Sequence, residues 1–256
     1  MQFPQATIEE IVESERLMLL SAEERYGKYY AHTRGVSVFL SLCVDAIDPD
    51  RMMFGRFHAH MKKHHMLALF STLRLHKVQA MMNLRQVLEA GASAAFAIAN
   101  PEKDHFVDTD QQGILDPSQE LTKKRYAWLH KNYEKSSRWI KETKERINSS
   151  AAHANAISAD SVFRVAESGD QIRAPFFDIE DEYFVKSDLW LIANVAITLM
   201  DLFFGVNKTH KALEFRKGYP DTIGRLAGDS NALLEEIRAT DRYKKAAKKY
   251  GLPMKN

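Results

Sequence analysis

A charged pair inside an otherwise apolar helical pattern is the first candidate for chemistry in this sequence. Arg85 and Glu89 are four residues apart, so one helical turn brings their side chains together. The glutamate follows the cation, which is the less favourable order for an exposed helix. The neighbours on that flank are apolar, and a partly buried ion pair is costly unless other groups complete its hydrogen bonds. The pair therefore indicates either a polar network in the core or the wall of a binding pocket.

A histidine surrounded by small residues is the second candidate. His153 lies in the segment INSSAAHANAIS, whose small side chains allow another helix or a ligand to approach closely. Histidine can act as a general acid or base near neutral pH, or it can be the buried partner of a carboxylate. Asn155 could orient the ring in either role. We expect the helix bearing His153 to meet Arg85 and Glu89, in a shared network or pocket.

Four histidines close together raise the question of a metal site. His60 and His64 are one helical turn apart, a spacing that metal sites use. However, no carboxylate lies between Arg56 and Glu89, and two lysines sit among the histidines. We therefore predict a solvated helix face without a metal ion for His58, His60, His64 and His65. The sequence also contains no glycine-rich phosphate loop and no cysteine pair, so we expect no cofactor.

Composition and charge argue against a strongly basic nucleic-acid-binding protein, a protein with internal disulfides and a protein with a signal peptide. A net charge of +2 gives no global field for binding nucleic acid, although basic stretches at 123–146 and 238–249 keep RNA as a candidate partner. The single cysteine, Cys43, cannot form an internal disulfide, which fits the reducing cytoplasm. The N-terminus has neither a basic start nor an apolar run, so we expect no signal peptide.

One apolar segment is long enough to be considered as a membrane span. Residues 188–206 read DLWLIANVAITLMDLFFGV, with Asn194 and Asp201 inside the segment and charged residues close to both ends. A transmembrane helix usually needs about 20 apolar residues with few charges. We interpret the segment as a central core helix and expect no membrane association.

Apolar spacing along the chain predicts a mainly α fold. Residues 66–100 repeat apolar or small side chains at three- and four-residue steps, as in a long buried helix. The helical pattern extends from Arg51 to Asn100, with a kink expected near His64 or at Gly91. Other helices are predicted over 22–47 and from 118 to about 150, with capping boxes at Thr7 and Ser21. Towards the C-terminus, helices are predicted over 209–216 and from about 230 to 251, separated by a break at 217–220.

The only β element that the sequence indicates is a small hairpin at about 161–178. Two short β-rich runs flank Ser168-Gly169-Asp170, which is a hairpin turn signal. Together these elements predict a multi-helix antiparallel bundle with one small β-hairpin. We expect a single domain over 1–256, in which the helices of 181–251 pack on a core of about 60–160.

The order of these features resembles the HEPN-type helical domains and their bacterial relatives. A long helix carries the Arg-x-x-x-Glu pattern in LRQVLEAG, and a later helix has small residues around a histidine in SSAAHAN. Arginine and histidine separated by four to six residues form the motif of that family. Arg146 and His153 match it in RINSSAAH, and Arg125 and His130 match it in RYAWLH. The family usually has a polar residue after the arginine, whereas Ile147 follows Arg146 here.

The resemblance, which covers about residues 60–160, implies a function. Active members are metal-independent ribonucleases in which the Arg–His pairs meet at a dimer cleft. It therefore implies a homodimer in which Arg146 and His153 are catalytic. Two alternatives follow from the residues themselves. One is a non-enzymatic interaction or regulatory module with a buried Arg–Glu–His network, and the other is a small-molecule-binding bundle with a pocket lined by Arg85, Glu89 and His153.

Overall fold

The chain folds into long helices joined by short turns and small strand pairs, so the predicted mainly α fold is confirmed. The computed structural model describes residues 6–109, 115–116, 118–151, 162–165, 172–173 and 176–250. The helices are α1 (Ile8–Leu20), α2 (Ala22–Leu42), α3 (Met52–Leu73), α4 (Lys77–Ala99), α5 (Gln119–Asn132), α6 (Glu134–Ala151), α7 (Glu182–His210), α8 (Tyr219–Ala239) and α9 (Asp241–Tyr250). Two single 3-10 turns, Pro49–Arg51 and Lys103–His105, precede α3 and follow α4.

The first helix begins as its capping box predicts. The Thr7 hydroxyl accepts from the backbone N–H of Glu10, and the Glu10 carboxylate accepts from the backbone N–H of Thr7. A helix also begins after Ser21, as predicted, but without a capping box, because the Ser21 hydroxyl donates to the carbonyl of Leu17 instead of accepting at the start of α2. Ser21 is therefore the joint between two consecutive helices.

The prediction of one helix over 66–100 is wrong, because the chain reverses between α3 and α4. The break falls at Leu75, whose φ of +57° is in the left-handed region, and not near His64 or at Gly91. Few non-glycine residues adopt that conformation. The side chain of Leu75 is buried, so its packing stabilises a turn that contains no glycine or proline. α3 and α4 form an antiparallel helical hairpin, and they contact each other more extensively than any other two of the described elements do.

The main core lies where α4 packs against α7. Gly91 faces Leu199 so closely that a Cβ atom on Gly91 would lie 2.4 Å from Leu199 Cδ1. Among the described helices, α7 alone is long and apolar enough to cross a membrane by length and composition, and 61% of its apolar 18-residue window is buried inside the protein. The burial of α7 agrees with its interpretation as a central core helix.

Two predicted helix ends are replaced by a strand pair. The predicted helix over 22–47 ends at Leu42, and β1 (Val44–Ile47) follows it. β1 pairs antiparallel with β6 (Leu213–Phe215), in the region where a helix over 209–216 was predicted. The side chain of Asn207 makes this possible, because its oxygen accepts from the backbone N–H groups of Ala212 and Leu213 and closes the end of α7.

The predicted hairpin is confirmed in the strands β4 (Arg164–Val165) and β5 (Ile172–Arg173), which pair antiparallel. A further short pair, β2 (Asp108–Thr109) with β3 (Leu115–Asp116), follows α4. Neither this pair nor β1–β6 was predicted. Strands of two to four residues are too short to show a sequence period.

The C-terminal helices are also divided differently from the prediction. The segment 217–220, predicted as a break before a helix from about 230 to 251, is where α8 begins. Gly218 precedes the helix with φ +75°, and Pro220 lies in its first turn, where a missing backbone N–H costs little. Thr240 then separates α8 from α9, and its hydroxyl accepts from the backbone N–H of Tyr243.

Candidate functional site

The pair Arg85–Glu89 lies on the side of α4 that packs against α6, the helix that precedes His153 in the sequence. Arg85 Nε donates to Glu89 Oε1 at 3.1 Å, and Arg85 Nη1 donates to Asn148 Oδ1 at 2.9 Å. Lys144 Nζ lies 2.9 Å from the same Glu89 oxygen. One carboxylate oxygen therefore connects an arginine of α4 to a lysine of α6.

Tyr126 extends this network to α5. Lys144 Nζ donates to the Tyr126 hydroxyl at 3.1 Å and lies 4.8 Å from the centre of its ring. Burial raises the pKa of Glu89, but the bonds and charges of Lys144 and Arg85 outweigh burial and hold that pKa below its usual value. Burial lowers the pKa of Lys144, and its contacts with Tyr126 and Glu89 outweigh that, so its pKa is raised. Both groups are therefore charged near neutral pH.

The network forms one wall of a polar cavity of about 260 Å³ between α3, α4, α5 and α6. The helices supply a mixture of charged, hydroxyl, amide and ring groups. The lining residues are Phe57, His60, Gln86, Glu89, Ala90, Ser93, Thr122, Arg125, Tyr126 and Lys144.

Arg125 is the most unusual of these lining residues. Its guanidinium donates to the carbonyl of His105 at 3.2 Å and to the Thr122 hydroxyl at 3.1 Å, and it lies 5.4 Å from the Phe106 ring. Across the described ranges, no carboxylate lies within ion-pair distance of it. Burial lowers the pKa of Arg125, since a half-buried cation has lost part of its hydration.

The charges around the cavity favour an anion. Arg125 and Lys144 contribute two cations, while Glu89 contributes one carboxylate, which Lys144 and Arg85 already neutralise. A guanidinium has more N–H donors than the two that Arg125 uses, and Lys144 keeps one N–H beyond its bonds to Glu89 and Tyr126. Charge-assisted hydrogen bonds from such donors are the strong kind.

Arg146, the predicted catalytic arginine, is not part of this cavity. Arg146 is exposed on α6. It lies two positions from Lys144 and two from Asn148, a rotation of roughly 200° around the helix axis, so it is on nearly the opposite face of α6 from these two residues. Its guanidinium donates to the Thr143 hydroxyl at 3.2 Å. The neighbouring Ile147 is 2% exposed, so the apolar residue after the arginine serves the core.

His153 and Asn155 lie outside the described residues. The structure therefore places two members of the predicted network, Arg85 and Glu89, and supplies Lys144, Asn148 and Tyr126 as their partners.

The histidine cluster is only partly on a solvated face, so that prediction is wrong for two of its members. His58 and His65 are 7% and 1% exposed, and burial lowers the pKa of each to about 4. His65 Nε2 lies 3.3 Å from the carbonyl of Ile192, and its Nδ1 lies 3.3 Å from the Ser37 hydroxyl. The centres of the His60 and His64 rings lie 4.3 Å apart. Within the part of the chain that the structure describes, no group of three or more metal-ligating side chains is placed to hold an ion.

Lys144, Tyr126 and Asn148 could not be singled out from the sequence. Lys144 belongs to a basic stretch in which Lys141 and Glu145 are exposed, and nothing in its local pattern distinguishes it from them. The sequence contains one signal that a polar face of α4 meets a polar face of α6. Lys144 and Asn148 are four residues apart, which is also the spacing of Arg85 and Glu89.

Fold and site together define a mainly α protein with a polar, cation-rich cavity among four of its helices. No protein-family model, curated protein or solved structure matches the chain.

Proposed function

We propose that this protein is a helical binding module that takes a small anion, such as a phosphate or carboxylate group, in the cavity beside Glu89. The observation that carries the proposal is the half-buried Arg125, which has no carboxylate partner among the described residues and lies beside Lys144 in the same cavity. An anion there would restore part of the stabilisation that Arg125 loses by burial.

Binding accounts for the site better than covalent catalysis does. Nucleophilic catalysis requires a nucleophile within hydrogen-bond reach of a base. The described cavity residues carry hydroxyl groups at Ser93, Thr122 and Tyr126, and none of these is hydrogen-bonded to His60 or Glu89, the bases that line the same cavity. The charged groups instead fix one another, which favours a preformed binding site.

Calorimetric titration of the full chain with inorganic phosphate tests this proposal. Removing a charge-assisted hydrogen bond costs about 1.5–3 kcal/mol, so Arg125→Gln should weaken binding by about tenfold or more. The matched control is Lys124→Gln, which removes the same charge from the same helix but at an exposed pair with Glu120. Equal weakening by both variants, or no heat of binding to the unaltered protein, would contradict the proposal. Melting curves of both variants check that the fold is retained.

A metal-independent ribonuclease is the second candidate, and the exposure of Arg146 favours it. In this proposal the protein is a homodimer, and a cleft between protomers brings two Arg146–His153 pairs together. The arginine would stabilise the charge on the phosphorane, and the histidine would transfer the proton of the attacking hydroxyl.

Incubation of the purified protein with mixed RNAs in EDTA tests the ribonuclease proposal. We expect cleavage by the unaltered protein and its loss in Arg146→Ala and in His153→Ala, with a dimer in sedimentation experiments. Absence of cleavage, or equal cleavage by the variants, would remove Arg146 and His153 as catalytic residues. Because Arg146 does not line the cavity, Arg146→Ala should leave phosphate binding unchanged.

A further inference from the structure

A second concave surface adjoins the cavity and shares one wall with it. This groove of about 680 Å³ lies between α5 and α6, and Tyr126 and Lys144 line both spaces. Ligand pockets usually have volumes of about 300–1,000 Å³, so the 260 Å³ cavity alone is small for an organic ligand. A ligand that reaches from the cavity into the groove would use both.

We infer that the ligand is an anionic group carried on a planar ring, with the anion in the cavity and the ring in the groove. This inference rests on the proposed anion binding and adds the chemistry of the rest of the ligand.

The groove has little spare charge with which to bind a second anion. Its cations Arg138 and Lys141 each pair with a carboxylate one turn away on α6, Glu134 and Glu145 respectively. The third cation, Lys144, is bonded to Glu89, and its remaining N–H is the one assigned above to the anion in the cavity. An uncharged body therefore fits the groove better than a second acidic group.

The α5 side of the groove carries two rings. Tyr126 and His130 are one helical turn apart, and both line the groove together with Ala127, whose small side chain leaves room beside them. Aromatic and imidazole rings contact planar ligands through stacked or edge-to-face arrangements, which add to the burial of apolar area. A ring attached to the anion would lie next to Tyr126 as it leaves the cavity.

Arg85 gains a positioning role in this arrangement. Asn148 lines the groove, and its side-chain oxygen accepts from Arg85 Nη1 at 2.9 Å. The donor Arg85 therefore fixes the orientation of the amide, and the Asn148 NH₂ group is left to donate. A ring that carries a hydrogen-bond acceptor would match it.

Titrations of the full chain with inorganic phosphate, methyl phosphate and phenyl phosphate test this inference. We expect phenyl phosphate to bind at least about tenfold more tightly than methyl phosphate, which corresponds to about 1.4 kcal/mol. Ala127→Trp, at an exposed position, should fill the groove and remove this preference without weakening methyl phosphate. Lys131→Ala lies on the same helix outside the groove and should change neither value.

The outcomes separate this inference from the proposal beneath it. Equal affinity for phenyl and methyl phosphate, or a preference that survives Ala127→Trp, would overturn the ring-binding groove while leaving anion binding intact. If none of the three phosphates binds, anion binding fails and the inference fails with it. Two results together would support both anion binding and the ring-binding groove. Ala127→Trp should abolish the preference for phenyl phosphate, and Arg125→Gln should weaken phenyl phosphate binding by the same factor as inorganic phosphate binding.

Discussion

Replacing Gly91 by alanine should destabilise the protein, because α4 and α7 are in direct contact there. The new Cβ would lie 2.4, 2.7 and 3.0 Å from three atoms of the Leu199 side chain. Leu199 is 0% exposed, so its side chain cannot move out into solvent and must shift within the packed core. Overpacking of this kind costs about 1–3 kcal/mol, whereas alanine gains about 1 kcal/mol over glycine in helix propensity. The net expectation is a loss of about 1 kcal/mol in the free energy of unfolding.

Gly35 is the matched control for this change. It lies inside α2, and a Cβ built on it has no atom within 4 Å. Gly35→Ala should therefore stabilise the protein by up to about 1 kcal/mol, since the propensity gain is opposed by no clash. The two substitutions are chemically identical, so their difference isolates the contact between α4 and α7.

A double-mutant cycle with Leu199→Ala assigns the cost to one contact. Leu199→Ala alone should cost about 2–5 kcal/mol, because it leaves a cavity in the core. In that background Gly91→Ala meets no leucine side chain and should become neutral or stabilising. The coupling energy between the two sites should then be about 1–3 kcal/mol.

Urea denaturation followed by circular dichroism and by tryptophan fluorescence measures these free energies, provided that the two probes give the same transition. For a chain of this size, each 1 kcal/mol corresponds to a shift of about 2–4 °C in Tm. The assignment is refuted if Gly91→Ala stabilises the protein as much as Gly35→Ala does. A coupling energy below about 0.5 kcal/mol would also refute it.

Two further predictions concern the buried His65 and the half-buried Glu89. Burial lowers the pKa of His65 from 6.5 to about 4, so the unfolded chain binds the extra proton between these values and stability falls as the pH decreases through them. The loss in the free energy of unfolding approaches about 3 kcal/mol. Urea midpoints measured against pH should therefore vary less in His65→Gln than in the unaltered protein. The same pH dependence in both proteins would contradict the assignment. Glu89→Gln should cost about 1–2 kcal/mol, because Arg85 and Lys144 lose their shared carboxylate. The exposed Glu134→Gln should cost less than about 0.5 kcal/mol, and equal urea midpoints for the two variants would contradict the prediction.

The helical character of the chain could be predicted from the sequence, but several chain reversals could not. The apolar stripe of 66–100 continues through Leu75, because α3 and α4 both turn their apolar faces towards the same core. No glycine or proline marks the reversal, and the carboxylate that accepts from the backbone N–H of Lys77 at the start of α4 belongs to the distant Asp178. The strain of a left-handed leucine is offset by burial of its side chain. Only the tertiary contacts of Leu75 distinguish this turn from a helix interior.

The candidate site could be predicted in part, for a related physical reason. Arg85 and Glu89 attracted attention because their surroundings on α4 are apolar, so their charge needed an explanation. Lys144 and Arg125 lie in stretches dense in lysine and arginine, where most side chains are solvated, and local pattern does not show which cation turns inwards. Such a choice depends on how α5 and α6 pack against α4.

The reversed order of the pair on α4 now has a structural reason. In an isolated helix, glutamate is better placed before its cation than after it. Glu89, however, bonds to Lys144 of α6 as well as to Arg85, and Arg85 reaches Asn148 of the same helix. These two contacts to α6, one from each residue, outweigh the small preference for the opposite order, which is about 0.2–0.5 kcal/mol per pair. The two charged residues on this otherwise apolar flank of α4 therefore join α4 to α6, and the packing of α5 and α6 against α4 forms the cavity that Arg125 lines.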